Sequence, residues 1–246
     1  MRMDIFTLFP ELFPPVLGTS IVGRARKKGL LQICCHQLRE FSPDRRNQKV
    51  DDTVFGGGKG MLLTAEPFAR GIDALTEHLG KRPHILYMSP RGKVLSQPMA
   101  RRLAEYENLV ILCGHYEGVD ERLLEEYEAE EVSIGDYVLT GGELPAMILA
   151  DAVSRMLPGV LADEECFTEE SHFSGLLEYP QYTRPEVWRG REVPQVLLSG
   201  HHANIRQWRR EQALAVTAKN RPDLLQKAEL SKEERERFLT SETEIL

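Results

Sequence analysis

Apolar positions follow two different spacings along the first two thirds of the chain. Short runs rich in apolar and β-branched residues occupy positions 5–9, 30–35, 84–88 and 109–113. Segments with apolar residues at helical spacing lie among and after them, at positions 66–79, 97–106 and 143–157. Continuous apolar strands that alternate with helices are typical of a parallel sheet covered on both faces. The pattern therefore predicts an α/β fold for this part of the chain.

The last third has a different composition. Residues 163–174 are polar and acidic without an apolar period, which predicts a mobile linker. Positions 203–218 then mix apolar residues with arginines at helical spacing, and positions 224–246 predict a charged helical tail. We therefore expect three parts, which are a domain of residues 1–162, a flexible linker of residues 163–174 and a small helical C-terminal domain of residues 175–246.

The overall composition is that of a globular protein. Of 246 residues, 41% are hydrophobic and 28% are charged, which excludes disordered and fibrous classes. No apolar run reaches the roughly 18 residues of a membrane-spanning helix, and the N-terminal segment does not resemble a signal peptide. The four cysteines, at positions 34, 35, 113 and 166, form no CxxC pair. These features predict a reduced, cytoplasmic protein.

Charge is distributed unevenly along the chain. The formal net charge is −7, which alone argues against a polyanionic partner. Residues 114–170 contain 16 acids and 2 bases, whereas residues 184–221 contain 8 bases and 3 acids. A nucleic acid could therefore bind the basic part, although the charges do not require it.

Several common classes of site are excluded. Lys59 is followed by Gly60 rather than Ser or Thr, so the chain has no Walker phosphate loop. No GxGxxG follows a predicted strand, and no HExxH, GxSxG or zinc-like Cys/His spacing occurs. The adjacent residues His201 and His202 point apart in regular structure, which favours surface positions over joint metal ligation.

Glycine-containing segments follow the predicted strands. Residues 56–60 include four glycines, and a surface loop or a loop whose amides approach a ligand fits them equally well. A glycine ends the strand 109–113, and residues 133–145 read as a strand, a double-glycine turn and a helix start. The last two of these segments, together with the Ser-Pro-Arg-Gly sequence at 89–92, give three loops at three predicted strand ends. Open α/β sheets bind ligands at that edge, so we expect a small-molecule pocket there.

These segments resemble the bacterial tRNA (guanine-N1)-methyltransferase family of the SPOUT superfamily. The matching stretches are FTLFPE from residue 6, VDD from residue 50 with the following glycines, CGHYEGVDER from residue 113, SIGDYVLTGGELPAM from residue 133, GLLEYPQYTRPEV from residue 175 and LLSGHHANIRQWR from residue 197. They cover nearly the whole chain, and their order and spacing are specific to the family.

The resemblance implies a fold, a cofactor and an assembly. The fold is a parallel-sheet methyltransferase domain with a C-terminal trefoil knot, followed by a small helical domain. The cofactor is S-adenosyl-methionine, bound by the knotted loops of a homodimer in which both subunits build each site. The implied cofactor-binding residues are Tyr87, Ser89, Pro90, Gly114, Tyr116, Glu117, Gly118, Ile134, Gly135, Asp136, Tyr137, Val138, Leu139, Gly141, Gly142 and Pro145. Among them, Glu117 is a candidate for orienting the positive sulfonium.

The chemistry of the guanine requires a base and a cation. N1 of guanine carries a proton at neutral pH, and negative charge develops on the exocyclic oxygen when that proton leaves. By resemblance, Glu170 is the base and Arg155 assists. The better-known relatives have Asp where this chain has Glu170, and Glu169 is the neighbouring alternative.

The remaining implied residues would bind the tRNA substrate. Asp51, Asp52, Gly58, Lys59 and Gly60 would line the guanine pocket, and Arg184, Arg189, Arg206, Arg209 and Arg210 would contact phosphates. Trp188 offers a stacking surface, whereas Trp208 on its helix fits a core position better. The family also uses Mg²⁺, for which the sequence contains no ligand pattern.

The function implied by the resemblance is methylation of N1 of guanosine 37, immediately 3′ of the anticodon, in the anticodon stem-loop of tRNA. A base there must leave the stacked loop to react. Two alternatives remain, a non-catalytic RNA-binding relative and a SPOUT methyltransferase with another RNA target. The complete glycine loops disfavour the first, and the C-terminal motifs disfavour the second.

Overall fold

The computed structural model describes residues 1–57, 60–161, 170–173 and 175–239. Contacts within the chain divide it into two compact units, Met1–Ala162 and Asp163–Leu246, and each is described by itself. In the described ranges, no helix is both long enough and apolar enough to cross a membrane.

The first unit contains a five-stranded parallel sheet and a short antiparallel hairpin. Its strands are β1 (Arg2–Thr7), β2 (Gln32–Gln37), β3 (Asp51–Thr53), β4 (Met61–Leu63), β5 (His84–Val94), β6 (Asn108–Cys113) and β7 (Glu130–Ser133). The parallel strands lie in the order β2-β1-β6-β5-β7, and β3 pairs with β4 in the hairpin. The predicted α/β class with a mainly parallel sheet is confirmed.

Helices cover both faces of this sheet. They are α1 (Phe13–Leu17), α2 (Ser20–Lys27), α3 (Ala65–Leu79), α4 (Gln97–Leu103), α5 (Glu121–Glu126) and α6 (Glu143–Ser154). Successive residues of a strand point to opposite faces, so in β6 Leu109 and Ile111 join one core while Val110 and Leu112 join the other. Residues of α2, α4 and α6 pack in the first core, and residues of α3 and α5 pack in the second. Burial from both sides explains why the strands read as continuous apolar runs.

Strand β5 extends beyond the predicted run 84–88. It continues to Val94 through an irregularity in its pairing with β7, and residues 89–92 form this irregularity rather than a loop after the strand. Gly92 lies so close to the backbone of Val132 that a Cβ atom there would clash. The glycine therefore permits the two strands to stay paired around the irregular segment.

The strand predicted at the start of residues 133–145 is wrong, because β7 ends at Ser133. Gly135 has φ +144°, a conformation that favours glycine. The Ser133 hydroxyl accepts from the Gly135 N–H at 3.1 Å and donates to the Gly135 carbonyl at 3.0 Å, which closes a turn. Val138 contributed to the strand-like pattern, yet it is 80% exposed. Helix α6 begins at Glu143, as predicted.

In its described residues, 170–173 and 175–239, the second unit contains a short hairpin and four helices. Its elements are β8 (Val187–Trp188), β9 (Arg191–Glu192), α7 (Gln195–Leu198), α8 (His202–Asn220), α9 (Pro222–Leu225) and α10 (Lys232–Leu239). Leu176, Leu214 and Leu225 form its buried core together with two alanines. The predicted helix 203–218 lies within α8. The predicted helical tail is interrupted between α9 and α10, and residues 240–246 lie outside the described residues.

Most of the predicted mobile linker also lies outside the described residues, namely residues 163–169, with Cys166 and Glu169, and residue 174. Residues 170–173 form a turn in which the N–H of Phe173 donates to the carbonyl of Glu170 at 3.3 Å. The N–H of His172 donates to the carbonyl of Leu176 at 2.8 Å, which attaches this turn to the second unit.

Candidate active site

A cavity of about 480 Å³ opens at the irregular segment of β5 and at the carboxyl ends of β6 and β7, close to where the sequence predicts a small-molecule pocket. Small-molecule sites typically enclose about 300–1,000 Å³. The predicted cofactor residues that line it are Tyr87, Ser89, Pro90, Gly114, Tyr116, Glu117, Gly118, Ile134, Tyr137, Val138, Leu139, Gly141, Gly142 and Pro145. Gly135 and Asp136 belong to one of the lining loops but do not themselves line the cavity.

The loop after β6 forms one wall because its glycines allow close packing. A Cβ atom at Gly114 would lie 2.8 Å from the hydroxyl oxygen of Tyr87. The N–H of Gly118 donates to the carbonyl of His115 at 3.0 Å, and Tyr116 and Gly118 have positive φ angles of 57° and 112°. Residues 114–118 therefore form a tight turn in which backbone, rather than long side chains, approaches the cavity.

The loop before α6 contacts this turn directly. The N–H of Gly142 donates to the carbonyl of Gly114 at 2.8 Å, and His115 and Gly141 form an isolated antiparallel bridge. A Cβ atom at Gly142 would lie 2.7 Å from the Cα of Cys113. The double glycine is thus required because two backbone segments meet at this place.

A buried hydrogen bond fixes the start of α6 beneath this contact. The hydroxyl of Thr7, at the end of β1, donates to Glu143 Oε1 at 2.8 Å, and Glu143 is only 5% exposed. A side chain at Gly141 would collide with the Glu143 carboxylate and would place its Cβ 2.8 Å from His115 Nδ1. That buried nitrogen has no hydrogen-bond partner among the described residues. A carboxylate at the first turn of a helix is also favoured by the helix dipole.

Charged side chains surround one side of the cavity. Arg91 Nη2 donates to Glu121 Oε2 at 2.9 Å and to Glu131 Oε1 at 3.2 Å, and the hydrogen bond to Glu121 is the main reason why the pKa of Arg91 is raised. Burial raises the pKa of the Tyr87 hydroxyl and that of the Cys113 thiol. Cys113 therefore stays protonated at neutral pH and is unsuited to act as a nucleophile.

The β3–β4 hairpin lies directly against the cavity loops. The N–H of Glu117 donates to the carbonyl of Met61 at 3.1 Å, and the N–H of Leu63 donates to the carbonyl of Gly118 at 3.0 Å. Gly60, with φ +115°, abuts the side chain of Glu117, so a side chain at Gly60 would clash there. The hairpin predicted to hold the guanine therefore adjoins a residue that lines the cavity.

The other predicted guanine-pocket residues are placed as follows. Asp51 and Asp52 form strand β3, and Asp52 is exposed and paired with Lys49 Nζ at 2.9 Å. That hydrogen bond is the main reason why the pKa of Asp52 is lowered. Gly58 and Lys59 lie outside the described residues.

Comparison with known proteins decides the family. A family model described as tRNA (Guanine-1)-methyltransferase TrmD matches residues 1–227. The chain belongs to this family. The resemblance inferred from the motifs is confirmed, and with it the expectation of an enzyme that methylates tRNA.

Individual relatives match this chain along nearly their full length, and the three that follow are each named tRNA (guanine-N(1)-)-methyltransferase. The protein of Ruminiclostridium cellulolyticum is 56% identical over 227 residues, which cover 92% of this chain and 97% of the relative. That of Moorella thermoacetica is 52% identical over 240 residues, covering 97% and 95% respectively. That of Desulforamulus reducens is 49% identical over 247 residues, covering 100% and 97%.

The two catalytic candidates of this tRNA methyltransferase lie in different units. Arg155 follows α6 in the first unit, and its N–H donates to the carbonyl of Asp151 at 3.1 Å. Glu170 lies in the turn of residues 170–173 in the second unit. Glu169, the alternative base, falls outside the described residues. The structure therefore describes Arg155 and Glu170 separately, and their pairing at one site stays a prediction.

The arginines predicted to contact tRNA differ in their surroundings. Arg184, Arg189 and Arg206 are exposed, whereas the guanidinium of Arg209 lies 4.9 Å from the ring centroid of Tyr179. Arg210 Nε donates to Glu234 Oε1 at 2.9 Å, and Arg210 Nη2 donates to Glu234 Oε2 at 3.1 Å. This ion pair favours a structural role for Arg210 over the predicted phosphate contact.

Sequence reasoning missed several cavity residues. Arg91 and Glu121 line the cavity within the quoted motif regions, but only the fold reveals their pairing. Leu62 reaches the cavity from the β3–β4 hairpin. Trp208, for which a core position was predicted, is only half-buried and lies outside the core of the second unit, with its ring centroid 6.2 Å from that of Tyr182. Within the described residues, no group of three or more His, Cys, Asp or Glu side chains could hold a metal ion.

Proposed function

We propose that this protein transfers the methyl group of S-adenosyl-methionine to N1 of guanosine 37 in tRNA. The observation that carries the proposal is the cavity formed by glycine loops, with the β3–β4 hairpin bonded to its wall, in a chain of the tRNA (guanine-1)-methyltransferase family. This arrangement offers neighbouring places for a methyl donor and for the base that accepts the methyl group.

The cavity fits S-adenosyl-methionine in its chemistry. The backbone around Gly114 and Gly142 can form hydrogen bonds to the edge of adenine through its amide and carbonyl groups. Tyr116 and Leu139 supply apolar surface for the ring. Glu117 supplies a negative charge for the sulfonium, whose positive charge disappears on transfer. The bound cofactor supplies an electrophilic methyl group. Gly135 and Asp136 would act by shaping the loop rather than by contact.

The path of the chain between β7 and α6 supports the trefoil knot, which is part of the proposed cofactor site. After edge strand β7, the chain returns across β5 to the end of β6, where Gly142 bonds to Gly114. A return of this kind brings the last loop against an earlier one, as a knotted cofactor site requires. The trefoil knot would keep both loops in place, because a knot cannot loosen without withdrawing the chain end.

Proton removal and charge stabilisation are assigned to two residues. Glu170 would accept the N1 proton of guanine, and Arg155 would stabilise the negative charge that develops on the exocyclic oxygen. Glu169 is the alternative base. A carboxylate can carry out this task only when it is held within hydrogen-bond reach of N1.

An exposed apolar surface supports the homodimer. Leu12, just before α1, is 48% exposed, and Val16 in α1 is 53% exposed. Leu144 and Ile148 on α6 are 59% and 48% exposed. Helices α1 and α6 contact each other, and Pro145 of α6 lines the cavity. A second copy of the chain would bury this surface and bring its own residues to the site.

The second unit, taken as a helical C-terminal domain, would bind the anticodon stem-loop. Its exposed arginines Arg184 and Arg206 can contact phosphates, and Arg209 would do so beside Tyr179. We further propose that the enzyme acts in the cytoplasm, where its substrate is found, and that Mg²⁺ assists the reaction.

Primer extension tests the proposal, since a methyl group on N1 blocks base pairing. A tRNA transcript with guanine at position 37 should give a stop at that position only when protein and S-adenosyl-methionine are both present. A transcript with adenine at position 37 is the matched control. A stop at another nucleotide of the transcript would indicate a different target position in the RNA. Binding of tRNA without any stop, despite a bound cofactor, would indicate a non-catalytic RNA-binding protein.

A further inference from the structure

The β8–β9 hairpin displays an aromatic side chain to solvent. Trp188 is 58% exposed, and all residues from 181 to 192 are exposed. An indole ring is among the largest apolar groups of a protein, and covering it is correspondingly favourable. Its display on a short hairpin, away from the core formed by Leu176, Leu214 and Leu225, indicates a binding surface.

The hairpin holds this ring in a defined orientation. Trp188 pairs with Arg191 across the strands, and the two residues between them, Arg189 and Gly190, have positive φ angles of 52° and 77°. Two such residues are typical of the tight turns that join antiparallel strands. The guanidinium of Arg189 lies 4.9 Å from the centroid of the indole ring, in a cation–π contact. Arg189 therefore covers one face of the ring and limits its movement.

The charge around the ring favours an anionic partner. Arg184, Arg189 and Arg191 are exposed along residues 184–192, together with the acids Glu186 and Glu192, and residues 193–221 add five bases and one acid. An aromatic ring accompanied by arginines is the combination with which proteins bind unpaired nucleotides, because bases stack on the ring and phosphates contact the cations. An uncharged apolar peptide would gain nothing from these arginines.

We propose that Trp188 is a stacking platform for an unpaired nucleotide of the tRNA substrate, other than the guanine that accepts the methyl group. Arg189 supports the ring from one side and contacts an adjacent phosphate. The identity of the RNA rests on the proposed function, whereas the stacking itself rests on the hairpin. Stacking of this kind tolerates any base, so the platform would add affinity without selecting a sequence.

Indole fluorescence tests the platform directly. The chain has two tryptophans, so Trp208→Phe leaves Trp188 as the only indole fluorophore. Titration with a tRNA transcript should quench this fluorescence, whether position 37 holds guanine or adenine. Trp188→Leu should weaken tRNA affinity by about 5- to 150-fold, because a stacked base contributes that much. Trp188→Phe should retain most of the affinity.

Val187→Ala is the matched control, because Val187 is equally exposed on the same strand but has no aromatic ring. It should bind tRNA as the wild type does, and all these variants should keep their affinity for S-adenosyl-methionine. Wild-type affinity of Trp188→Leu, or unchanged fluorescence on tRNA binding, would overturn the platform. An indole that acrylamide cannot quench in the free protein would also overturn it, by revealing a protein contact.

The outcomes separate this proposal from the function. Methylation of guanosine 37 without quenching of Trp188 would refute the platform alone. Quenching by tRNA without methyl transfer would refute the methyltransferase function and leave the platform standing. A protein that does not bind tRNA would refute both.

Discussion

The two units present their candidate functional groups in opposite ways. In the first unit, backbone segments meet at Gly114 and Gly142, and the buried bond between Thr7 and Glu143 fixes them from below. In the second unit, Arg206 and the β8–β9 hairpin project from an exposed surface. A site formed by closely packed backbone cannot accommodate an added side chain. On an exposed surface, each substitution removes only the contact of one side chain. We therefore expect abrupt losses in the first unit and graded losses in the second.

The largest loss should follow from Gly142→Ala. The new Cβ would lie 2.7 Å from the Cα of Cys113 and 3.0 Å from the N of Gly114, and neither backbone atom can move without disturbing the contact between the loops. We expect no measurable binding of S-adenosyl-methionine by calorimetry.

Gly80→Ala is the control for this substitution. Gly80 has φ +67°, and no atom lies within 4 Å of the position that a Cβ would occupy, so alanine there strains only the backbone. This variant should lose about 1 kcal/mol of stability and bind the cofactor normally. Normal cofactor binding by Gly142→Ala would show that the cavity is not the cofactor site.

The next largest effect should follow from Glu170→Gln, which removes the proposed base. Glutamine keeps the shape of the side chain but cannot accept the guanine proton, so single-turnover methyl transfer should slow by about 10²–10⁴-fold. Binding of tRNA and cofactor should be unchanged. The rate should recover in part at high pH, where guanine loses its proton unaided.

Two variants define the specificity of this result. Glu170→Asp should remain active, because aspartate keeps a carboxylate at that position, and Glu169→Gln should also remain active. If Glu169→Gln is inactive while Glu170→Gln reacts normally, the base is Glu169. Normal rates for both would place the base outside this segment.

The contrast between the units also explains what the sequence could predict. Strands β5 and β6 were predictable because burial on both faces produces continuous apolar runs. Apolar residues did not indicate a strand after Ser133, because Val138 and Leu139 are apolar yet belong to a loop that lines the cavity. An apolar residue can serve a ligand as well as a core, and local pattern does not distinguish these two uses.

Long-range side-chain contacts were beyond prediction for a different reason. Thr7 and Glu143 are separated by 136 positions, so no local period relates them. The pairing of Arg210 with Glu234 likewise depends on how α8 and α10 pack. Most of the residues that line the cavity, in contrast, were anticipated from the family resemblance and from glycines, whose placement already indicates close backbone approach.

A moderate effect should follow from Thr7→Val, which removes the donor to Glu143. The buried carboxylate would lose its hydrogen bond, so the free energy of unfolding should fall by about 1–3 kcal/mol. Affinity for the cofactor should fall as well, because Glu143 supports the loop at Gly141. Thr7→Ser keeps the hydroxyl and should restore most of the affinity. If Thr7→Val and Thr7→Ser had the same stability and the same affinity for the cofactor, the hydrogen bond to Glu143 would have no positioning role.

The smallest effects belong to single arginines of the second unit, and two arginines on α8 should differ in kind. Arg206 is exposed, so Arg206→Ala should weaken tRNA binding without changing stability, and the slope of log affinity against log salt should fall by about 0.7–0.9. Affinity for S-adenosyl-methionine should stay the same. An unchanged salt slope would remove Arg206 from the tRNA surface.

Arg210→Ala should instead reduce stability. The hydrogen bond from Arg210 is the main reason why the pKa of Glu234 is lowered, so the pair stabilises the fold above the ordinary carboxyl range. That contribution, about 0.5–1 kcal/mol for a partly exposed pair, should vanish as the pH falls through the lowered pKa of Glu234 and protonates it. Denaturant unfolding of Arg210→Ala, Glu234→Ala and the double variant at neutral and acidic pH measures it. Arg210→Ala could instead change the salt slope of tRNA binding as Arg206→Ala does, with no coupling energy between Arg210 and Glu234. That result would show that Arg210 contacts phosphate, and that its ion pair with Glu234 forms only in the free protein.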